Sequence, residues 1–266
     1  MCTLIVGRDV LGTGSLIVGA NRDEDSARPS EPPGRLADAQ HVVGGRDSRG
    51  GGTWLAIRDA HSVIAVLNRR GALPTAPELL RSRGLLALDA ACAAPGAAID
   101  AFAGAALSAV RALLAMNQYA PFSLVCATPL GGWVLSHDGD QAGALRPLGT
   151  GWHVLTHGDL DDPLEPRTIR LSRKLSGFQP RNTGEAETKL LELLSLHGTF
   201  GDGAPAEQDS DDVAAADSAA VCIHAGRMVT VSTSLFRLAR TGARYIHIEG
   251  RPCTTPPRDL SALLGA

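Results

Sequence analysis

Short apolar runs broken by glycine and proline dominate the N-terminal third of the chain. Cys2–Val6 (CTLIV) and Ser15–Asn21 (SLIVGAN) are two such runs, joined by the Gly-rich stretch Gly7–Gly14. This pattern predicts a β-hairpin, and the unbroken apolar character predicts a sheet covered on both faces. A polar, Pro-rich loop is predicted over Arg28–Asp38. Strand patterning resumes at His41–Gly45, Thr53–Ile57 and Ser62–Asn68, and the run Gly50-Gly51-Gly52 reads as a tight turn.

The periodicity then lengthens. Pro77 suits a first helical turn, and Glu78–Ala93 and Ala97–Met116 are Leu- and Ala-rich helices separated by Pro95-Gly96. Strands are predicted at Ser123–Thr128, Gly132–His137 and Gly151–His157, with helices near Thr168–Leu175 and Glu185–Leu196. Gly198–Asp212 reads as a solvated loop, and Ala219–His224, Met228–Leu235 and Arg244–Glu249 as closing strands. Runs of strands and helices follow one another without βαβ alternation. That order predicts an α+β chain of stacked, mainly antiparallel sheets, organised as one domain over residues 1–266.

Composition narrows the function classes. The net charge is −3, so a basic surface for phosphates is not expected, and no nucleic-acid partner is expected with it. Aromatic residues make up 4 %, too few for a base-stacking platform. No uninterrupted apolar window suggests a membrane span. The N-terminus lacks a basic leader, and Arg8-Asp9 interrupts it, so a secretory signal is not expected. Five widely spaced cysteines without CxxC fit free thiols and a cytoplasmic location.

Cys2 is the most informative residue. It follows Met1, and a small residue in second position permits removal of the initiator. A terminal cysteine then carries a nucleophile and a base in one residue, because the α-amine titrates near neutral pH and can take the thiol proton. The alternative is a small apolar residue opening a strand. The second run ends in Asn21-Arg22-Asp23-Glu24. Hairpin pairing brings Arg22 and Asp23 to Cys2, where a cation favours the thiolate and a carboxylate orients the amine. A solvated turn with a local ion pair fits the same spacing. Trp54 reads as a pocket wall or as core packing, and Asn21 and Trp54 are the candidate substrate contacts. His153 and His157, and likewise Cys222 and His224, share strand faces, but no converging ligand set suggests a metal.

The opening MCT segment, the strand ending in NRDE, GGRD (Gly44–Asp47) and GGTWLAI (Gly51–Ile57) together resemble the NRDE, or transport and Golgi organisation protein 2, family. That family is similar to N-terminal nucleophile hydrolases of the choloylglycine hydrolase and penicillin V acylase group. The resemblance implies a four-layer αββα sandwich. It implies Cys2 as nucleophile, Arg22 and Asp23 as the activating pair, and Asn68 as an oxyanion donor. His157, in Val154-Leu155-Thr156-His157, stands where those hydrolases carry a second asparagine. Their late arginine has no clear match among Arg227, Arg237 and Arg240. The activity so implied is hydrolysis of a linear amide or related acyl compound, without a cofactor. The alternative is a non-enzymatic carrier of haem or of lipid and acyl-coenzyme A, with haem as a bound ligand. Either reading calls for a small amide, acyl or haem-like ligand, and a homo-oligomer is compatible with both.

Overall fold

Thirteen strands, among the described residues, form two antiparallel sheets stacked face to face with helices outside each. The computed structural model describes residues 2–36, 41–72, 76–139, 143–198 and 219–265. The N-terminal hairpin is β1 (Cys2–Arg8) and β2 (Leu16–Asp25), paired Cys2↔Arg22 through Arg8↔Leu16. β3 (Ser30–Arg35), β4 (Val42–Asp47), β5 (Leu55–Arg58) and β6 (Ser62–Asn68) run as a meander. After helices α1 (Arg83–Cys92) and α2 (Ile99–Met116), β7 (Phe122–Thr128), β8 (Gly131–His137) and β9 (Leu145–Pro147) complete a seven-stranded sheet in the order β3 to β9. β10 (Gly151–Leu155), β11 (Met228–Ala239), β12 (Gly242–Glu249) and β13 (Arg258–Asp259) join the hairpin in the order β10-β1-β2-β11-β12-β13. Between β10 and β11 the chain forms α3 (Pro166–Leu175) and α4 (Thr183–Leu194).

Side-chain alternation creates the layers. Leu4, Val6, Leu16, Val18 and Ala20 face Leu55, Ile57, Val63, Ala65 and Val125 across the space between the sheets. Ile5 and Ile17, from the same hairpin, face outward onto Leu171, Leu190 and Leu193 of α3 and α4. On the other side, Ile64, Val66, Leu124 and Cys126 pack on Leu86, Ala90, Phe102 and Val110 of α1 and α2. Three apolar cores between four layers make an αββα sandwich. Burying each Leu or Ile contributes roughly 1.5–3 kcal/mol. The outer helices start on side-chain caps: Glu165 accepts from the Thr168 N–H at 2.6 Å, and Asn182 accepts from Glu185 N–H at 2.9 Å.

Several elements differ from the sequence reading. The Pro-rich stretch contains edge strand β3, in which Pro32 and Pro33 occupy the register shift between Glu31 and Gly34. The expected helix from Glu78 is a 3-10 turn at Pro77–Leu79 followed by α1. Ala219–His224 is not a strand. Its first N–H groups go to a helix end, where Val221 and Cys222 both donate to the Leu196 carbonyl at 2.9 and 2.8 Å. The loop reading over 199–212 lies outside the described residues. By length and composition α2 is long and apolar enough to cross a membrane, with a mean hydropathy of 1.6. Asp100 and Arg111 interrupt it, and its Phe102, Ala106 and Val110 pack on the seven-stranded sheet.

Candidate active site

The hairpin register places Cys2 directly opposite Arg22, so both side chains project from the same face of the sheet. Thr3 and Asn21, one step along, project from the other face. Cys2 is 8 % exposed and Arg22 6 %; the Arg22 Nη1 donates to Ser30 Oγ at 3.1 Å. Burial pushes the Cys2 thiol above its ordinary range, and the Asp23 charge adds to that. The Asp23 backbone N–H and the Arg22 guanidinium oppose it. Arg83, from the first turn of α1, lies close enough to feel the Cys2 charge, and its own Nη1 donates to the Pro121 carbonyl at 2.8 Å.

Asp23 occupies the helix-facing side of the hairpin. Its carboxylate accepts from Thr230 Oγ1 at 2.7 Å and from Arg167 Nη1 at 3.0 Å. The same Arg167 Nη1 donates to Thr3 Oγ1 at 2.9 Å. Arg167 comes from the start of α3 and is 1 % exposed. Burial pushes the Asp23 carboxyl up, and the Arg167 charge and the Thr230 hydroxyl pull it down. Thr230 is the cross-strand partner of Asp23, beside the β11 register shift between Thr230 and Ser232, so its hydroxyl shares a face with the carboxylate while it accepts from the Ile223 N–H at 2.9 Å.

Asn21 is fully buried. Its Nδ2 donates to the Leu194 and Val221 carbonyls at 2.8 and 2.9 Å, and its Oδ1 accepts from Thr233 at 2.7 Å. That amide ties β2 to the end of α4 and the 219–224 segment. Asn68 closes β6 as its one exposed residue, paired with Phe122. His157 lies two residues beyond the pair Leu4↔Leu155, which carries the register toward Cys2. It is 5 % exposed, its Nε2 stands 3.6 Å from Glu165 Oε1, and its backbone carbonyl accepts from Arg70 N at 3.0 Å. Burial lowers the His157 pKa against the pull of Glu165, which leaves a neutral imidazole.

Trp54 and Arg22 line a cleft with Pro32, Pro33, Tyr245 and His247. Cys2 is not on that wall; its cross-strand neighbour Arg22 is. None of the three late arginines reaches Cys2. Arg237 is paired with Glu187 at 2.7 Å on the α4 side, Arg227 is an exposed partner of Asp25, and Arg240 is exposed. Arg167, Thr230 and Arg83 were invisible in the sequence. Each arrives from a distant element, and the local signals around Arg167, Pro166 and a capping Glu165, report only a helix start.

A family profile described as transport and Golgi organisation 2 matches residues 1–228. No curated protein sequence matches the chain. Among solved structures, the chain is similar to a Caenorhabditis elegans N-acylethanolamine-hydrolyzing acid amidase ortholog. That likeness has 17 % identity and a TM-score of 0.48, over 88 % of this chain and 92 % of that one. It is also similar to a conjugated bile acid hydrolase from Clostridium perfringens, in a cysteine-to-alanine mutant, at 11 % identity and a TM-score of 0.46 over 98 % and 93 %. With 228 of its 266 residues spanned by the profile, the chain belongs to the transport and Golgi organisation 2 family.

Proposed function

We propose that this protein is an N-terminal cysteine hydrolase of linear amides or related acyl compounds. The observation that carries the reading is the cross-strand pair Cys2 and Arg22, with the Asp23 carboxylate buried behind it on Arg167 and Thr230. Removal of Met1 frees the Cys2 α-amine. The amine takes the thiol proton, and the thiolate attacks the substrate carbonyl carbon. Burial opposes that ionisation, and the positive charge of the chain terminus, the Asp23 N–H and, least, the Arg22 guanidinium favour it. The oxyanion that forms needs fixed donors, each contributing about 3–4 kcal/mol; Asn68 and the neutral His157 are assigned that role. The C–N bond then breaks, the leaving nitrogen receives the proton from the amine, and a thioester remains on Cys2. Water hydrolyses the thioester and returns the thiol.

The test combines intact-mass measurement with an acylating thiol probe. The expected result is a chain lacking Met1, labelled once, with labelling abolished in Cys2→Ser. Retention of Met1 in protein that still labels at Cys2, or equal labelling of Cys2→Ser, overturns the reading.

A second reading is a carrier of haem or an acyl ligand in the cleft lined by Arg22 and Trp54, beside Cys2 but without it. Its wall joins Trp54, Pro32 and Pro33 to the charged Arg22, Glu31 and Arg46 and to His247, an imidazole that burial holds down to about 4 and therefore neutral; with room for about 30 Å³, the cleft must open to admit such a ligand. Haem titration followed by absorbance separates the two. A Soret shift that His247→Ala removes supports the carrier, and no shift at micromolar protein rejects its haem form.

A further inference from the structure

Four ligand-type side chains converge away from Cys2. His197 follows α4, Cys222 and His224 lie in the irregular 219–224 segment, and Cys253 lies in the turn after β12. Their ligand atoms all lie within 4.8 Å of one another. The Sγ atoms of Cys222 and Cys253 are 3.5 Å apart, and His224 Nε2 is 3.6 Å from Cys222 Sγ and 3.0 Å from Cys253 Sγ. The His197 and His224 rings meet edge to face at 4.7 Å.

We infer that His197, Cys222, His224 and Cys253 form a tetrahedral site for a zinc-class divalent ion. With Zn–S of about 2.3 Å and Zn–N of about 2.0–2.1 Å, the edges of such a tetrahedron are roughly 3.4–3.8 Å. The sulfur–sulfur separation and the His224–Cys222 separation fall in that range, and the most distant ligand atoms, within 4.8 Å, close by up to about 1 Å on loading. The His224–Cys253 separation opens by about half an ångström on loading. The two sulfurs are too far apart for a disulfide, which needs about 2.05 Å, and thiols gain little from hydrogen bonding each other. Two thiolates with two neutral imidazoles match the charge and softness preferences of zinc.

Backbone contacts prearrange the set: the Leu196 carbonyl, next to His197, takes the N–H groups of Val221 and Cys222. Loading releases two thiol protons and fixes the His224 ring proton on Nδ1. Arg251 Nη1 now stands 3.0 Å from that nitrogen, so it turns outward when the ion enters. Four protein ligands leave no open position, which makes the role structural. The ion locks the 219–224 segment, whose Ile223 N–H supports Thr230 behind Asp23. Cys2 is not a member, so the site is independent of the hydrolase reading.

The test is metal analysis of the full chain purified under reducing conditions without chelator, followed by stripping and Co2+ titration. The expected result is one metal per chain. Co2+ should produce the intense visible bands of tetrahedral coordination with thiolate charge transfer in the near ultraviolet. Cys253→Ser and His224→Ala, both at exposed or half-buried positions, should each lose stoichiometric binding, and Cys2→Ser should keep it. Substoichiometric uptake by the reduced protein, a Co2+ spectrum without thiolate bands, or full binding by Cys253→Ser overturns the inference.

Discussion

Arg167→Met tests the electrostatic support behind the proposed nucleophile. Arg167 is 1 % exposed and Asp23 likewise, and their contact is a 3.0 Å ion pair that also holds Thr3. Methionine keeps most of the volume and removes the cation. Taking one partner from a buried pair costs roughly 3–5 kcal/mol, because the remaining charge loses its compensation without regaining water. At about 2–4 °C per kcal/mol for a chain of this size, the midpoint should fall by about 6–20 °C. The pH dependence has a definite sign. Burial raises the folded-state pKa of Asp23 above its ordinary value of 3.8, so its contribution is full below that value and is lost as pH rises through the raised one. Arg167 limits the rise, and its removal exaggerates it. The penalty of Arg167→Met should therefore be largest at neutral pH and shrink in mild acid. Urea denaturation of wild type and variant at both pH values measures it, repeated in an Asp23→Asn background, where the penalty should largely vanish. A loss below about 1 kcal/mol, as for an exposed pair, an unchanging penalty across pH, or full additivity with Asp23→Asn would refute the reasoning.

Gly52→Ala should cost about 2–3 kcal/mol, since the new Cβ would fall 2.0 and 2.3 Å from the Gly84 carbonyl carbon and oxygen at the start of α1. Gly50→Ala meets only side-chain atoms of Ser82 and Asp47 at 3.0–3.4 Å and should cost much less, so equal melting points for the two would contradict this packing. His247, pushed down to about 4 from 6.5, binds its proton more readily in the unfolded chain, so stability should fall as pH drops through that window. The fall should be about 3 kcal/mol, and denaturation curves of His247→Gln should lack it; the same slope in that variant would place its origin elsewhere.

The alternation of apolar residues was enough to locate most strands and the four helices, because burial on a two-residue or 3.6-residue period is a local property. The hairpin register was legible for the same reason: a short loop leaves few ways to pair Cys2–Arg8 with Leu16–Arg22. Cys2 and Arg22 could therefore be placed together from the sequence. The elements that misled were those whose conformation is set by a neighbour. β3 and β9 are short edges with weak patterns, and Ala219–His224 is apolar enough for a strand but its Val221 and Cys222 N–H groups go to the Leu196 carbonyl, just past α4, and its Ile223 N–H to Thr230.

Sequence alone singled out Cys2, Arg22 and Asp23 as candidates for chemistry and determined which residues of the hairpin share a face. Only the tertiary structure decided what stands behind them. Arg167 lies 144 positions from Asp23, Thr230 lies 207 from it, and Cys253 lies 31 from Cys222. No periodicity encodes such meetings. They follow from how the layers close over one another, and the cost of burying a charge or a polar atom without a partner then selects which distant side chain must be there.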